Sequence, residues 1–262
     1  MLTNRTSGNQ SPSLVRSLFL ETGAITKFSF RFLWEALVPP YEFREILRQC
    51  YLIGCRSLPL VGITGLIMGL VLTLQSRPTL AEFGAEAWLP AMVGVSVVRE
   101  IGPVITALIS AGKIGSGIGA ELASMRVTEQ IDAMEVAGNN PFNYIVVTRV
   151  IATTCMIPLL TIFSDSLALY GSYLGVNIGG DVSFTLFFSQ VFQKLVFSDV
   201  FPAFIKTFFF GFTIGIIGCY KGYYSDKGTE GVGLSANWAV VFSSLLIFII
   251  DMMAVQITNL IL

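Results

Sequence analysis

The chain has 262 residues, of which 53% are hydrophobic and 13% charged, with a formal net charge of -1. A mean hydropathy of +0.73 is too apolar for a soluble domain and reads as an integral membrane protein, while the near-neutral balance excludes a nucleic-acid binder, which would carry a clustered basic excess. Histidine is absent, so Ser-His-Asp and Cys-His catalysis and histidine metal sites are all excluded.

Residues Met1 to Ser13 are polar without apolar periodicity, which predicts a disordered start and no cleaved targeting segment. Residues 14–39 are rich in Leu, Phe and Trp, yet Lys27, Arg31 and Glu35 recur four apart. That pattern predicts a helix lying in the membrane interface rather than crossing it. Pro39 and Pro40 end it, and a short charged segment from Glu42 to Arg48 follows. Five runs then have about the length of a membrane span: 57–75, 88–112, 150–176, 201–220 and 238–262. The expected architecture is an all-α integral membrane protein with residues 1–50 as tail and interfacial helix and 51–262 as a five-span domain.

Five crossings place the ends on opposite sides. One side collects Arg5, Arg16, Lys27, Arg31, Arg44, Arg48, Arg56, Lys113, Arg126, Arg149, Lys221 and Lys227, whereas the other has Arg77 and Lys194. The positive-inside rule makes the crowded side cytoplasmic and leaves the C-terminus outside. Glycines four apart, as at Gly65 and Gly69, Gly115 and Gly119, Gly171, Gly175 and Gly179, Gly211 and Gly215, and Gly218 and Gly222, predict helices packed backbone to backbone. No internal repeat of the inverted-transporter kind is visible. The four cysteines, Cys50, Cys55, Cys155 and Cys219, fit no zinc or CxxC spacing and read as small packing residues.

The stretch 99–138 reads REIGPVITALISAGKIGSGIGAELASMRVTEQIDAMEVAG. It opens on Arg99 and Glu100 inside an apolar span, passes a glycine-rich run read as a flexible turn, and ends in an amphipathic helix on the crowded side. As a helix, Glu121, Ser124, Thr128, Asp132 and Glu135 share one stripe and Val127, Ile131 and Met134 an adjoining one. Gly138 and Pro141 close it. The run GSGIGA formally fits a dinucleotide fingerprint, but a membrane-length helix precedes it where a strand is required, and no GxxxxGK[ST] loop exists in the chain.

Arg99, Glu100, Asp165 and Asp251 interrupt the spans, each at about 2.5 kcal/mol or more near the bilayer centre, and should therefore face protein or water. Pro103 removes the amide that would bond the Arg99 carbonyl, which predicts a kink and a spare acceptor. Arg99 and Glu100 point about 100° apart and should find separate partners, with Asp251 a candidate for Arg99. Lys206 reads as a snorkelling anchor. These charges fit either a structural network or a polar site on a substrate path.

The central stretch, with TRVIATTCMIPLLT, KGTEGVG and the Asp251 segment, closely resembles the MlaE/YrbE permease family of phospholipid ABC transporters, over nearly all of the chain from Tyr51. The resemblance implies a homodimeric permease in the bacterial inner membrane, with a separate cytoplasmic ATPase that holds the ATP and magnesium, a periplasmic MCE-domain partner and phospholipid as cargo. It implies no catalytic residue and no cofactor in this chain. The N-terminal helix would be the elbow helix, and the amphipathic stretch between the second and third spans the coupling helix. Glu121, Arg126, Thr128, Glu129 and Asp132 would make its polar contacts to the ATPase, with Met125 and Met134 packing. By the same analogy Leu70, Leu72, Leu74 and Gln75 would line the lipid path beside Arg99, Glu100 and Asp251. The segment LSANWAVV departs from the family pattern, and no headgroup contact is carried over to it. An ion-coupled carrier or channel using Glu100, Asp165 and Asp251, a permease for another hydrophobic substrate such as a sterol, and an intramembrane enzyme are the alternatives.

Overall fold

Apolar chain in a bilayer can satisfy its own backbone within a single segment only as a helix, and every regular element among the described residues is helical. The structure is a computed structural model that describes residues 14–39, 41–178, 180, 182–226 and 228–261. The start predicted to be disordered, with Pro40, Gly179 and Lys227, lies outside these residues. In chain order the helices are α1 (Leu14–Leu37), α2 (Phe43–Glu82), α3 (the continuous rod Glu86–Val127), α4 (Gln130–Val136), α5 (Phe142–Asn177), α6 (Phe184–Lys194), α7 (Phe197–Tyr223) and α8 (Thr229–Ile261). Five of them, α2, α3, α5, α7 and α8, are long and apolar enough to cross a membrane.

The helices outrun the apolar runs that announced them. At 40 residues, α2 begins at Phe43, so the charged segment from Glu42 to Arg48 is its first turns and the boundary after residue 50 falls inside it. The reason is local. Glu45 accepts from Arg48 at 3.3 Å and from Gln49 at 2.8 Å, and charged residues paired three or four apart support a helix.

The glycine-rich run is also helix, not turn: Ser116–Val127 is α-helical and continues the second span. Its glycines serve close packing instead. A Cβ on Gly119 would stand 3.1 Å from the Ser235 carbonyl oxygen of α8, and one on Gly218 of α7 would stand 3.1 Å from the Gly115 carbonyl oxygen. The same logic builds the seam between α2 and α5, where Gly65 faces the Ser164 carbonyl, Gly69 the Ala168 backbone and Gly171 the Leu66 backbone. Between α5 and α7, a Cβ on Gly211 would meet the Thr153 carbonyl oxygen at 2.6 Å. Backbones this close gain dispersion contacts that no larger residue permits.

Two apolar clusters result. The larger holds Phe142, Ile145, Ile157, Phe210 and Ile214, and the smaller, at the opposite end, holds Leu89, Val97, Ala168, Phe187 and Val191. Helix α1 joins the first through Phe28, whose ring centroid lies 5.1 Å from that of Phe142 and 5.5 Å from that of Tyr220. Arg31 stacks over Phe142 at 4.1 Å, and Lys221 of α7 donates to Glu21. Arg31, Lys113, Arg149 and Lys221 thus meet partners at one end of the bundle, Lys113 donating to the Arg56 carbonyl. Arg77 and Lys194 lie at the other, bonded to the Val176 carbonyl and stacked on Trp88.

Asn140 ties the basic end together. Its amide donates to Glu35 at 2.6 Å while its Oδ1 accepts from the Phe142 amide at 3.1 Å and the Asn143 amide at 3.4 Å. It acts as the N-cap of α5. Asn140→Ala is expected to lower stability by about 1 kcal/mol, measured as a shift in the denaturant midpoint of the purified chain; no shift would mean that water caps α5 equally well.

Candidate functional site

Arg99 and Glu100 sit in a π-helical turn, Val97–Ile101, within α3. Proline at 103 has no amide, and its ring opposes the carbonyl four residues back, so the helix takes in one extra residue before it resumes at Gly102. The Gly102 amide reaches the Val97 carbonyl. The spare acceptor predicted at Arg99 falls instead at Val98, whose i+4 amide is engaged with Val97 and whose i+5 residue is Pro103. A Cβ on Gly102 would displace Asp165 of α5, whose Oδ1 stands where that atom would go. Turns of this kind recur at functional sites.

The widened turn presents both charges to α7 and α8. Lys206 donates to Glu100 Oε2 at 2.5 Å and to Asp251 Oδ1 at 2.9 Å. Arg99 pairs with Asp199 at 3.5 Å, approaches Glu100 at 3.9 Å and donates to Asn259 Oδ1 at 3.2 Å. Arg99 and Glu100 therefore do find separate partners on neighbouring helices. Two expectations are corrected. Asp251 pairs with Lys206 and not with Arg99, because the π-turn rotates Arg99 towards the start of α7. Lys206 is no snorkelling anchor: its side chain is 4% exposed, and it lies nine residues, or about 14 Å, into α7. Two cations and three carboxylates meet here, in an environment where each charge needs its partner.

Beside this cluster an open groove of about 540 Å³ runs between α7 and α8, walled by Phe201, Ile205, Phe209, Ile250 and Ile257 and ending on Lys206 and Thr258. Its walls are apolar along nearly their whole length, since Lys206 is buried and bonded to Glu100 and Asp251. The first-span residues stand apart from it. Leu70 and Leu72 are half-buried, Leu74 and Gln75 exposed, and α2 packs chiefly on α5. Leu72 turns into the smaller apolar cluster, two residues and therefore about 200° from Leu74.

At the basic end the amphipathic stretch is two helices, not one. Glu129 has φ 57° and ψ 19°, a left-handed conformation that favours glycine or asparagine, and this breaks the predicted stripe between Thr128 and Asp132. Arg126 and Asp132 pair across the break, and Arg149, buried in α5, holds Glu121 at 2.8 Å. Met125 and Met134 pack on the larger apolar cluster. Thr128 is exposed but turns its hydroxyl to the Ser124 carbonyl at 2.9 Å. The exposed residues include Thr128, Glu129, Gln130, Glu135 and Val136, the last 90% exposed.

Sequence reasoning missed Asp199, Asn259 and Val136 and misread Lys206. Lys206 had a signal, as the one charge inside the apolar run 201–220. Asn259 and Val136 had none. Among the described residues no cluster of three metal-ligating side chains occurs.

The family model described as Permease MlaE matches residues 46–257. A protein of Rickettsia prowazekii described as a probable ABC transporter permease is 42% identical over 227 residues, covering 87% of this chain and 88% of the relative. A Synechocystis protein with the same description is 37% identical over 206 residues, 79% and 78% of the two chains. The intermembrane phospholipid transport system permease protein MlaE of Haemophilus influenzae is 32% identical over 212 residues, 80% and 81%.

Proposed function

Since this chain belongs to the MlaE permease family, we propose that it is the membrane-spanning subunit of an ABC transporter that moves phospholipid between membranes, with ATP and magnesium held by a separate ATPase. The observation that carries the lipid reading is the apolar groove between α7 and α8, whose walls match acyl chains and whose Lys206 also lines the cleft that holds Arg99 and Glu100. The name of the Haemophilus relative supports the same cargo.

In this reading the basic end is cytoplasmic, the membrane is the bacterial inner membrane, and α1 is the elbow helix that lies along it. The chain works as a homodimer, which is supported by α8: only 11% of its most apolar stretch is buried, against 33% to 67% in the other four spans. An MCE-domain protein would meet the opposite end. Leu70, Leu74 and Gln75 would join the lipid path across the dimer. The segment from Glu121 to Val136 is the coupling element, but its residues divide by role. Glu121, Arg126 and Asp132 hold its shape through their ion pairs, while Thr128, Glu129 and Val136 make the contact.

The test is gentle purification with native partners, followed by mass spectrometry of polypeptides and lipids. An ATPase and near-stoichiometric phospholipid are expected; a chain that arrives without either overturns the assignment. Val136→Asp is expected to strip the ATPase from the complex with the thermal midpoint unchanged, since Val136 is 90% exposed. Retention of the ATPase would move the contact elsewhere on the basic end.

A further inference from the structure

The charge cluster does not use Asp165. This α5 carboxylate takes no hydrogen bond or ion pair from any described residue, and its Oδ1 is enclosed against Gly102. Asp165 lines a second groove, of about 260 Å³, between α3, α5, α6 and α7. Ala203 contributes to the walls of this groove and of the cleft that holds Arg99 and Lys206. The Val98 carbonyl, which the π-turn and Pro103 leave without a main-chain donor, belongs to the residue across the groove. The two hydroxyls present are already committed, Thr161 to the Ile157 carbonyl at 2.9 Å and Ser166 to the Ile162 carbonyl at 2.8 Å. The groove therefore offers two acceptors and no donor, among walls of Phe192, Leu195 and Phe204.

An acceptor pair in apolar surroundings calls for a cationic donor. A bare metal ion is a poor match, since it would exchange a shell of six or more oxygens for about two. An ammonium on an apolar body matches both halves: its N–H groups satisfy Asp165 and the Val98 carbonyl, its tail lies along Phe192 and Leu195, and the phenyl faces add cation–π attraction. We propose that the Asp165 groove is a binding site for an ammonium-bearing amphiphile, separate from the groove that ends on Lys206. The site would discriminate by charge, because a bare phosphate or carboxylate head would face Asp165 while the nearby Lys206 stays bonded to Glu100 and Asp251.

The measurement is equilibrium binding of radiolabelled dodecylamine to the purified full-length chain in detergent, which requires neither ATPase nor transport and so fails or succeeds independently of the phospholipid reading. Saturable binding is expected, weakened about tenfold or more by Asp165→Asn, the loss of one charge-assisted bond. Phe192→Lys guards against a folding artefact, because Phe192 is 64% exposed; its own ammonium should occupy the groove mouth and weaken dodecylamine comparably. Unlabelled lysophosphatidylethanolamine separates the two sources: displacement identifies an aminolipid head, and failure to displace identifies a lipophilic amine, both with the ammonium site intact. Binding unchanged in Asp165→Asn, or competition by dodecanol or lysophosphatidylglycerol equal to that by dodecylamine, overturns the proposal.

Discussion

Lys206→Met is expected to destabilise the protein by about 3 kcal/mol, the low end for stripping one partner from a buried ion pair. The low end applies because Glu100 and Asp251 keep 35% and 20% of their side chains exposed, and water softens the penalty. The loss should appear as a lower detergent-denaturation midpoint. Neutralising all three residues together, with Glu100→Gln, Lys206→Met and Asp251→Asn, should restore stability to within about 1 kcal/mol, because no uncompensated charge remains. Lipid transport into acceptor vesicles by the triple variant, assembled with its ATPase, separates the two roles of the cluster. A stable triple variant that does not transport places the charges on the substrate path; one that transports normally reduces them to a device for helix register. A Lys206→Met protein as stable as the parent would contradict the geometry itself.

Gly69→Val should disrupt the seam between α2 and α5, at about 3 kcal/mol. The new Cβ would run into the Ala168 backbone, and backbone cannot rotate aside as a side chain does. Gly171→Ala should act similarly from the opposite helix, against the Leu66 backbone. Gly112→Ala and Gly117→Ala provide the comparison, since nothing lies within 4 Å of either position. Both should be neutral or stabilising by up to about 1 kcal/mol, through helix propensity. Equal loss in all four variants would mean that glycine acts here through flexibility and not through close approach.

The number of spans was legible because apolar length is a direct physical requirement of the bilayer, and the close seams because glycine pairs four apart admit few other uses inside a span. Helix ends were not. Charge stops a span but not a helix, so the first turns of α2 were read as a separate segment. The run GSGIGA carries the same composition whether it bends or packs, and only the neighbours of Gly119 and Gly218 decide. Within the site, Arg99, Glu100 and Asp251 stood out as charges where charge is expensive. Their pairing did not, because one inserted residue at Val97–Ile101 rotates Arg99 away from Asp251, and regular helical geometry contains no such insertion.

The glycine seam also has a mechanical meaning. With α2 pressed backbone to backbone on α5 at Gly65, Gly69 and Gly171, and α5 on α7 at Gly211, these three helices lack a compliant layer of side chains at those points and travel as one stiff body. Helix α8 is held more lightly, resting on α3 and α7 with most of its apolar surface uncovered. Its principal ionic latch to the bundle is Lys206, through Asp251, with the Arg99 to Asn259 hydrogen bond as a second catch further along. A widening of the protomer that keeps the seam intact has α8 as its swinging member and those two bonds as its fasteners, so the groove beside Lys206 is also the joint at which it would open.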